Sequence, residues 1–537
     1  MDRIKFSIIA AAMAAGALTG CGSDDGITTP ALADATIVKI DSGTVQGASD
    51  NSVITFKGIP YAAPPVGPLR WQPPQAAAAW SGIRPAQTFG HDCMQLPMSS
   101  DAAPSSGQVP DEDCLVMNVW RPTNPTLKKL PVVVWIYGGG GVNGSSASAV
   151  YDGSQFARQD VILVSFNYRL GRFGFFGHPA LTKENPSGLL GNYGFMDQLA
   201  ALKWVQRNIA AFGGDAGNVT VFGESAGGFA VHVLMTSPLS NGLFNRAIAE
   251  SGGGRVAFVP GRRLHETGPN GLPSGEQVGV TFAATVGITG EDASALAALR
   301  ALPATTIVSG LNMGTLGSNF NTFSNTMIDG QLIVDEPGKI YQAGSAKKVP
   351  LIVGATSLDL SFATATTMDQ ALAPFAPANR AAALAAYDPQ GTGNVSVVAA
   401  RIASDQVMVE PARFVAQTLS AQGSPVYEYR FSYVAASIRN QVSGAPHASE
   451  LPYVFNTLSA SYGTAVTSQD QQMAQLTNNY WIAFAKTGNP NSPGLPQWSP
   501  YDAKSDALLD LSVGGATQTS TQPDPWKTGL DLIQQLN

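Results

Sequence analysis

Residues 219–228 read V-T-V-F-G-E-S-A-G-G. An apolar run, Val219 to Phe222, leads into a serine bracketed by glycines, and a helix is expected from Ala226. The pattern G-x-S-x-G describes a tight strand-to-helix corner. The hydroxyl of Ser225 then stands clear of both elements. Gly223 and Gly227 flank the corner because side chains there would collide with neighbouring backbone. The pattern is moderately specific in a chain with 57 glycines, so its weight depends on what else the sequence supplies.

A serine hydroxyl becomes a useful nucleophile when a base takes its proton and a third group orients that base. The chain offers five histidines: His91, His178, His232, His265 and His447. In the α/β-hydrolase arrangement the order along the chain is serine, acid, histidine, which excludes His91 and His178. His232 belongs to the helix that starts at the corner and cannot turn back on Ser225. His265 lies in R-R-L-H-E-T-G-P-N-G, a surface-loop composition. His447 lies in G-A-P-H-A-S-E-L-P-Y-V-F, a loop after the strand pattern V-Y-E-Y-R-F-S-Y (426–433). Loops at strand ends are where such sheets carry their catalytic base. For the acid, P-L-I-V-G (350–354) reads as a buried strand and Asp359 follows its end. The competing reading of Asp359 is a turn or helix-start aspartate. Asp329 and Asp405 are weaker alternatives, because neither follows a buried strand so closely.

Developing negative charge also needs hydrogen-bond donors. Residues 131–141, P-V-V-V-W-I-Y-G-G-G-G, form a second strand opening into glycines. The N–H groups of Gly139 and Gly140, with that of Ala226, are the candidate oxyanion donors. Gly139, Gly141 and Gly144 also match G-x-G-x-x-G, a dinucleotide-binding loop. The next strand, V-I-L-V-S-F-N (161–167), ends in Asn167 where that motif wants an acid, and Asp160 is at the wrong end.

Taken together, these motifs resemble the type-B carboxylesterase family, which includes cholinesterases and bacterial para-nitrobenzyl esterases. The likeness runs from about residue 36 to about residue 505. It includes F-K-G-I-P-Y-A-A-P-P-V-G-P-L-R-W (56–71), E-D-C-L-V-M-N-V-W (112–120) and F-N-Y-R-L-G-R-F-G-F (166–175). It continues through G-N-Y-G-F-M-D-Q (191–198), the segment 212–228, the His447 segment and T-G-N-P-N (487–491). The resemblance implies an α/β-hydrolase fold: a mostly parallel central sheet flanked by helices, with helical insertions over the active site. It implies ester hydrolysis through an acyl-enzyme, with Ser225 as nucleophile, His447 as base and Asp359 as acid. Gly139, Gly140 and Ala226 then form the oxyanion hole, Ser251 supports the triad, and Arg70 and Glu112 form a structural ion pair. It also pairs Cys93 with Cys114. A disulfide closing that loop of about 20 residues contributes roughly 3 kcal/mol in the chain-entropy model.

Two positions depart from the family pattern. Leu358-Asp359 stands where Asp-Glu is usual, so a shorter acid must approach the histidine more closely. Gly141 stands where a bulky residue usually follows the glycines, which predicts a wider pocket beside the oxyanion hole. The loop between Cys93 and Cys114 contains no aromatic residue. Cholinesterases carry there a tryptophan that holds quaternary ammonium, so neutral, non-choline esters are the expected substrates.

The third cysteine, Cys21, ends L-T-G-C after Arg3, Lys5 and the apolar run 6–17. We read residues 1–20 as a lipoprotein signal, Cys21 as the acylated first residue and 21–35 as a flexible tether. The competing reading is ordinary cleavage after Ala15-Gly16-Ala17, giving a periplasmic or secreted protein. Gly22 after the cysteine points to the outer membrane of a bacterial envelope, an oxidising setting that suits a structural disulfide. Residues 36–537 read as one catalytic domain with insertions near 255–345 and 360–425. A helix is expected at 195–211 from Leu199, Leu202, Val205 and Ile209. The net charge of −7 argues against nucleic acid as a partner. No cofactor is expected, and no H-E-x-x-H or other metal-ligand cluster occurs. Oligomeric state is not written in these motifs. Two rivals share the same residues: an amide, carbamate or lactone hydrolase or acyltransferase, and a non-catalytic adhesion module of the neuroligin kind.

Overall fold

A computed structural model describes residues 34–50, 52–98, 102–257, 259–360 and 363–537. Residues 1–20 and Cys21 lie outside the described residues. Internal contacts divide the chain into Met1–Ala35 and Thr36–Asn537, and the second unit is one compact body.

Its frame is an eleven-stranded sheet. In chain order the strands are β1 (Ala48–Asp50), β2 (Val53–Pro60), β3 (Val116–Pro122), β4 (Leu130–Ile136), β5 (Ile162–Phe166) and β6 (Gly214–Glu224). They continue with β7 (Arg246–Glu250), β8 (Leu351–Thr356), β9 (Val426–Phe431), β10 (Ala507–Leu511) and β11 (Ser520–Pro523). Across the sheet the order is β11-β10-β9-β8-β7-β6-β4-β5-β3-β2-β1. From β5 to β10 every neighbouring pair is parallel, and the outer strands at both edges are antiparallel. Of the central strands, β4, β5 and β8 are almost continuously apolar, as strands covered on both faces are. β4, β5, β8 and β9 are buried at every residue.

Four helices matter for the site: α1 (Tyr193–Asn208), α2 (Ala226–Thr236), α3 (Glu410–Ala421) and α4 (Ser468–Thr487). The helix expected at 195–211 is α1, which starts two residues earlier and tightens into a 3-10 turn over Ile209–Phe212. Gly213, at φ 87°, ends that turn in the left-handed conformation that glycine adopts freely. The strand pattern at 426–433 stops at Phe431, whose pairing with Leu511 closes the ladder through Ser432 N–H to Leu511 C=O.

The elements described within residues 255–345 are short helices, and the 3-10 turn Met313–Ser318 among them reaches the glycine loop. A Cβ built on Gly140 would lie 2.4 Å from Met313 Sδ, so this insertion covers the glycines. The helices Met368–Ala371, Arg380–Tyr387 and Val395–Ser404 join the C-terminal helix Lys527–Gln534 around a satellite core of Phe375, Tyr387, Val398 and Ile402 with Leu532 and Ile533. Cys93 and Cys114 are joined in a buried disulfide. Arg70 forks onto Glu112 through two parallel hydrogen bonds. No described helix is long and apolar enough to cross a membrane.

Candidate active site

β6 ends at Glu224 and α2 begins at Ala226, leaving Ser225 alone on the corner at φ 57°, ψ −122°. That is a costly backbone for a residue with a side chain. The surrounding glycines enforce it. A Cβ on Gly223 would lie 2.5 Å from Gly227 C=O, and one on Gly227 would lie 2.0 Å from Ile136 C=O. Ser225 N–H is held by Glu250 C=O at 2.9 Å. Its side chain makes no capping bond to α2, which leaves the hydroxyl for other partners.

The partner is His447. Its Nε2 lies 2.9 Å from Ser225 Oγ, and its Nδ1 lies 2.5 Å from Asp359 Oδ1. The shorter acid reaches the ring because two loops are stitched together beside it. Leu358 N–H donates to Ala445 C=O at 2.9 Å, and Ala445 N–H donates to Ser357 Oγ at 2.9 Å. Asp359 is buried and its second oxygen is full. Oδ2 accepts from Ser251 Oγ at 2.6 Å and from Thr356 N and Oγ1 at 2.9 Å each. Burial works against its ionisation, but His447, Ser251 and Leu360 N–H outweigh it and hold the carboxyl below the ordinary carboxylate range.

On the other side of Ser225, Gly138 packs so closely that a Cβ there would lie 2.9 Å from the serine Cβ. Gly139, Gly140 and Gly141 follow at φ 94°, 63° and 71°. Only glycine turns a chain three times in that region without strain. Gly138 thus brings the start of the glycine run against the Ser225 corner. Gly141 has Phe175 as its neighbour, 3.2 Å from a built Cβ.

The other candidates lie elsewhere. Buried His232 bonds Tyr341 through Nδ1 at 2.8 Å, and burial pushes its pKa down to about 4. His178 accepts from Ala180 N–H at a helix start, His91 bonds Val109 C=O, and His265 faces Glu276. Asp329 closes a turn, accepting from the N–H groups of Gln331, Leu332 and Ile333. Asp405 accepts from Tyr387 OH at 2.9 Å. Among the described residues no cluster could hold a metal ion.

Sequence reasoning missed three carboxyl groups. Glu224 Oε1 lies 3.2 Å from His447 Nε2. Glu224 and Glu250 sit in register at the ends of neighbouring parallel strands, so both point into the same layer. Glu250 accepts from Trp481 Nε1 at 2.6 Å, and Glu450 Oε1 lies 3.4 Å from Ser251 Oγ. Burial, then neighbouring carboxylates, push Glu250 and Glu450 up to about 8 each. Of the three, only Glu224 carried a signal in the sequence, since it directly precedes Ser225 in the G-x-S-x-G corner.

Two of these carboxyls, Glu224 and Glu450, act on the His447 ring. Burial alone would depress His447, but Glu224, Asp359 and Glu450 reverse that and push it up to about 10. A raised pKa keeps the imidazole protonated to higher pH, and for a histidine acting as general base this displaces the acid limb of kcat/KM above the ordinary 6.5. Glu224→Gln removes the first of those charges and is expected to move the limb to lower pH. A pH profile of kcat/KM from pH 5 to 10 checks this. A limb that stays put in the variant rules out Glu224 as its cause.

The model for the carboxylesterase family matches residues 34–526. The chain belongs to the carboxylesterase family. Relatives include the fumonisin B1 esterase of Sphingopyxis macrogoltabida, 34% identical over 88% of this chain and 86% of that one. The para-nitrobenzyl esterase of Bacillus subtilis is 34% identical over 89% of this chain and 95% of that one. Among solved structures, a para-nitrobenzyl esterase superposes with a TM-score of 0.79 at 31% identity, covering 93% of this chain and 99% of its own. This carboxylesterase has the α/β-hydrolase fold and hydrolyses carboxylic esters, and a serine mechanism is general for its family.

Proposed function

We propose that Ser225 attacks the ester carbonyl while His447 takes its proton. Gly139, Gly140 and Ala226 donate their N–H groups to the oxyanion, and His447 then protonates the leaving alcohol. Water repeats the sequence on the acyl-enzyme. Asp359 fixes the imidazole tautomer and stabilises the imidazolium, and Ser251 holds Asp359. The observation that carries this reading is the continuous hydrogen-bonded line from Ser225 Oγ through the His447 ring to Asp359.

The substrates we propose are neutral esters without a choline group. The exclusion of choline esters draws support from relatives named for fumonisin B1, para-nitrobenzyl esters and cocaine, and from the loop between Cys93 and Cys114, which carries no aromatic residue. Gly141 is proposed to leave room beside the oxyanion hole for a broad acyl or alcohol group. The test is a panel of para-nitrophenyl esters of increasing acyl length, butyrylcholine and a para-nitroanilide. The para-nitrophenyl esters are expected to be turned over with kcat/KM at least about tenfold above the other two. A preference for butyrylcholine or for the anilide overturns the substrate assignment.

We further propose attachment to a bacterial envelope membrane through acylated Cys21, supported by L-T-G-C after a basic and apolar leader. Expressed in a bacterium, the full chain is expected in the detergent phase of a Triton X-114 partition, and Cys21→Ser in the aqueous phase. Equal partition of the two ends the proposal.

A further inference from the structure

Two of the three proposed oxyanion donors, Gly139 and Gly140, sit on a turn of consecutive glycines, the part of the backbone with the most freedom to lose. Such donors accelerate a reaction only if they are aimed before the charge develops. Something must therefore fix this turn, and the residues that do so lie beside the disulfide.

Gly139 C=O and Gly140 N–H share one planar peptide and point in opposite directions. That carbonyl accepts from Val142 N–H and Asn143 N–H, each at 3.0 Å. The position of Asn143 thus sets where the Gly140 N–H points. The fit is tight, since a Cβ on Gly139 would lie 2.2 Å from Asn143 C=O. Asn143 and Gly144 are gripped in turn by residues flanking Cys93. Gln95 Nε2 donates to Gly144 C=O at 2.8 Å, and Gly144 N–H donates back to Gln95 Oε1 at 2.9 Å. Asn143 Nδ2 donates to Gln95 Oε1 at 3.3 Å and to Leu96 C=O at 2.6 Å. On the other flank of Cys93, Ser145 Oγ donates to Asp92. Gln95 Nε2 also bonds Cys93 C=O at 3.1 Å, tying its amide to the disulfide backbone.

We propose that Gln95 is a positioning residue for the oxyanion hole, and that the disulfide-closed loop serves as its frame. Gln95 touches no substrate atom in this reading. It clamps Gly144 and Asn143, Asn143 fixes the Gly139 carbonyl, and that carbonyl aims the Gly140 N–H. The disulfide holds the clamp by anchoring Cys93 to Cys114 at the start of β3. The inference rests on the proposed oxyanion role of Gly140 and goes beyond it by naming what holds the donor.

Gln95→Leu keeps the side-chain bulk and removes the bonds of the Gln95 amide to Gly144, Asn143 Nδ2 and Cys93 C=O. Gln95→Glu keeps the acceptor for Gly144 N–H and Asn143 Nδ2 and loses the donor. Both are assayed on para-nitrophenyl butyrate and titrated with an alkyl trifluoromethyl ketone. In that adduct Ser225 Oγ bonds the carbonyl carbon, the carbonyl π pair becomes an oxyanion, and the proton passes to His447. Losing one oxyanion donor costs about 10²–10³ in kcat, so a mis-aimed one is expected to cost about tenfold or more. For Gln95→Leu, KM should stay within about twofold, and the ketone's inhibition constant should rise in proportion to the loss in kcat/KM. Gln95→Glu should fall between it and the wild type.

An unchanged kcat overturns the proposal. So does a fall in kcat with ketone affinity unchanged, which is the signature of general loosening. If Gln95→Leu does not fold, Gln95→Glu decides by the same criteria. Should the oxyanion and nucleophile reading itself be wrong, the wild-type protein fails to form the Ser225 adduct. Failure of the clamp alone leaves the wild type labelled and the variants equal to it.

Discussion

Ser225→Ala is expected to lower kcat for para-nitrophenyl butyrate by at least about 10³-fold, the usual size of a triad loss. The loss should fall on chemistry and not on folding. Ser225 occupies its strained corner through the glycines around it and the bond from its N–H to Glu250 C=O. Alanine keeps the Cβ and that N–H, so the strain is unchanged. The hydroxyl does not cap α2, so its removal leaves the helix start as it was. The thermal midpoint should therefore stay within a few degrees of the wild type. An organophosphate should label the wild type at Ser225, located by peptide mass spectrometry, and leave the variant unlabelled. Turnover within tenfold of the wild type, or a label on another residue, would remove Ser225 from the mechanism.

How much of this was legible in the chain follows a physical line. The corner at 223–227 was readable because its geometry is local: two glycines and the residue between them decide it. The strands at 131–137, 161–167 and 350–354 were readable because burial on both faces makes them continuously apolar, and their ends shifted by only a residue or two. His447 came from elimination among few histidines, and Asp359 from its place after β8. The carboxyls of Glu250 and Glu450 were not legible as site residues. Their role depends on β6 lying beside β7 in register and on a loop from residue 450 folding back, which are long-range facts. Gln95 was hidden for the same reason, being 49 residues from Gly144 in the chain. The Asp-for-Glu departure at residue 359 shows the limit most clearly. Sequence set the demand for a closer approach, and only the stitching of Leu358 to Ala445 shows how that demand is met.

Asp359→Asn tests that geometry directly, and a fall in kcat of about 10⁴-fold is expected. The carboxylate uses both oxygens as acceptors. Oδ2 receives Ser251 Oγ, Thr356 N and Thr356 Oγ1, while Oδ1 receives His447 Nδ1 and Leu360 N. An amide must turn its NH2 toward one of these sets. Facing Oδ2's partners, the NH2 meets three donors. Facing His447, it meets Leu360 N–H and forces the ring to present Nδ1 as an acceptor. The proton then sits on Nε2, where it blocks transfer from Ser225. Either orientation also removes the charge that stabilises the imidazolium, so the acid limb of any residual activity should move to lower pH. Asp329→Asn and Asp405→Asn alter a turn and a tyrosine bond away from the ring, and should keep kcat within a few-fold. The assignment fails if Asp359→Asn retains more than a tenth of wild-type kcat, or if Asp329→Asn suffers the larger loss while remaining folded by circular dichroism. A residual rate above the uncatalysed reaction is still expected in Asp359→Asn. The proposed oxyanion donors are untouched by the change, and such donors with substrate binding alone leave about 10³–10⁴-fold over water in triad hydrolases.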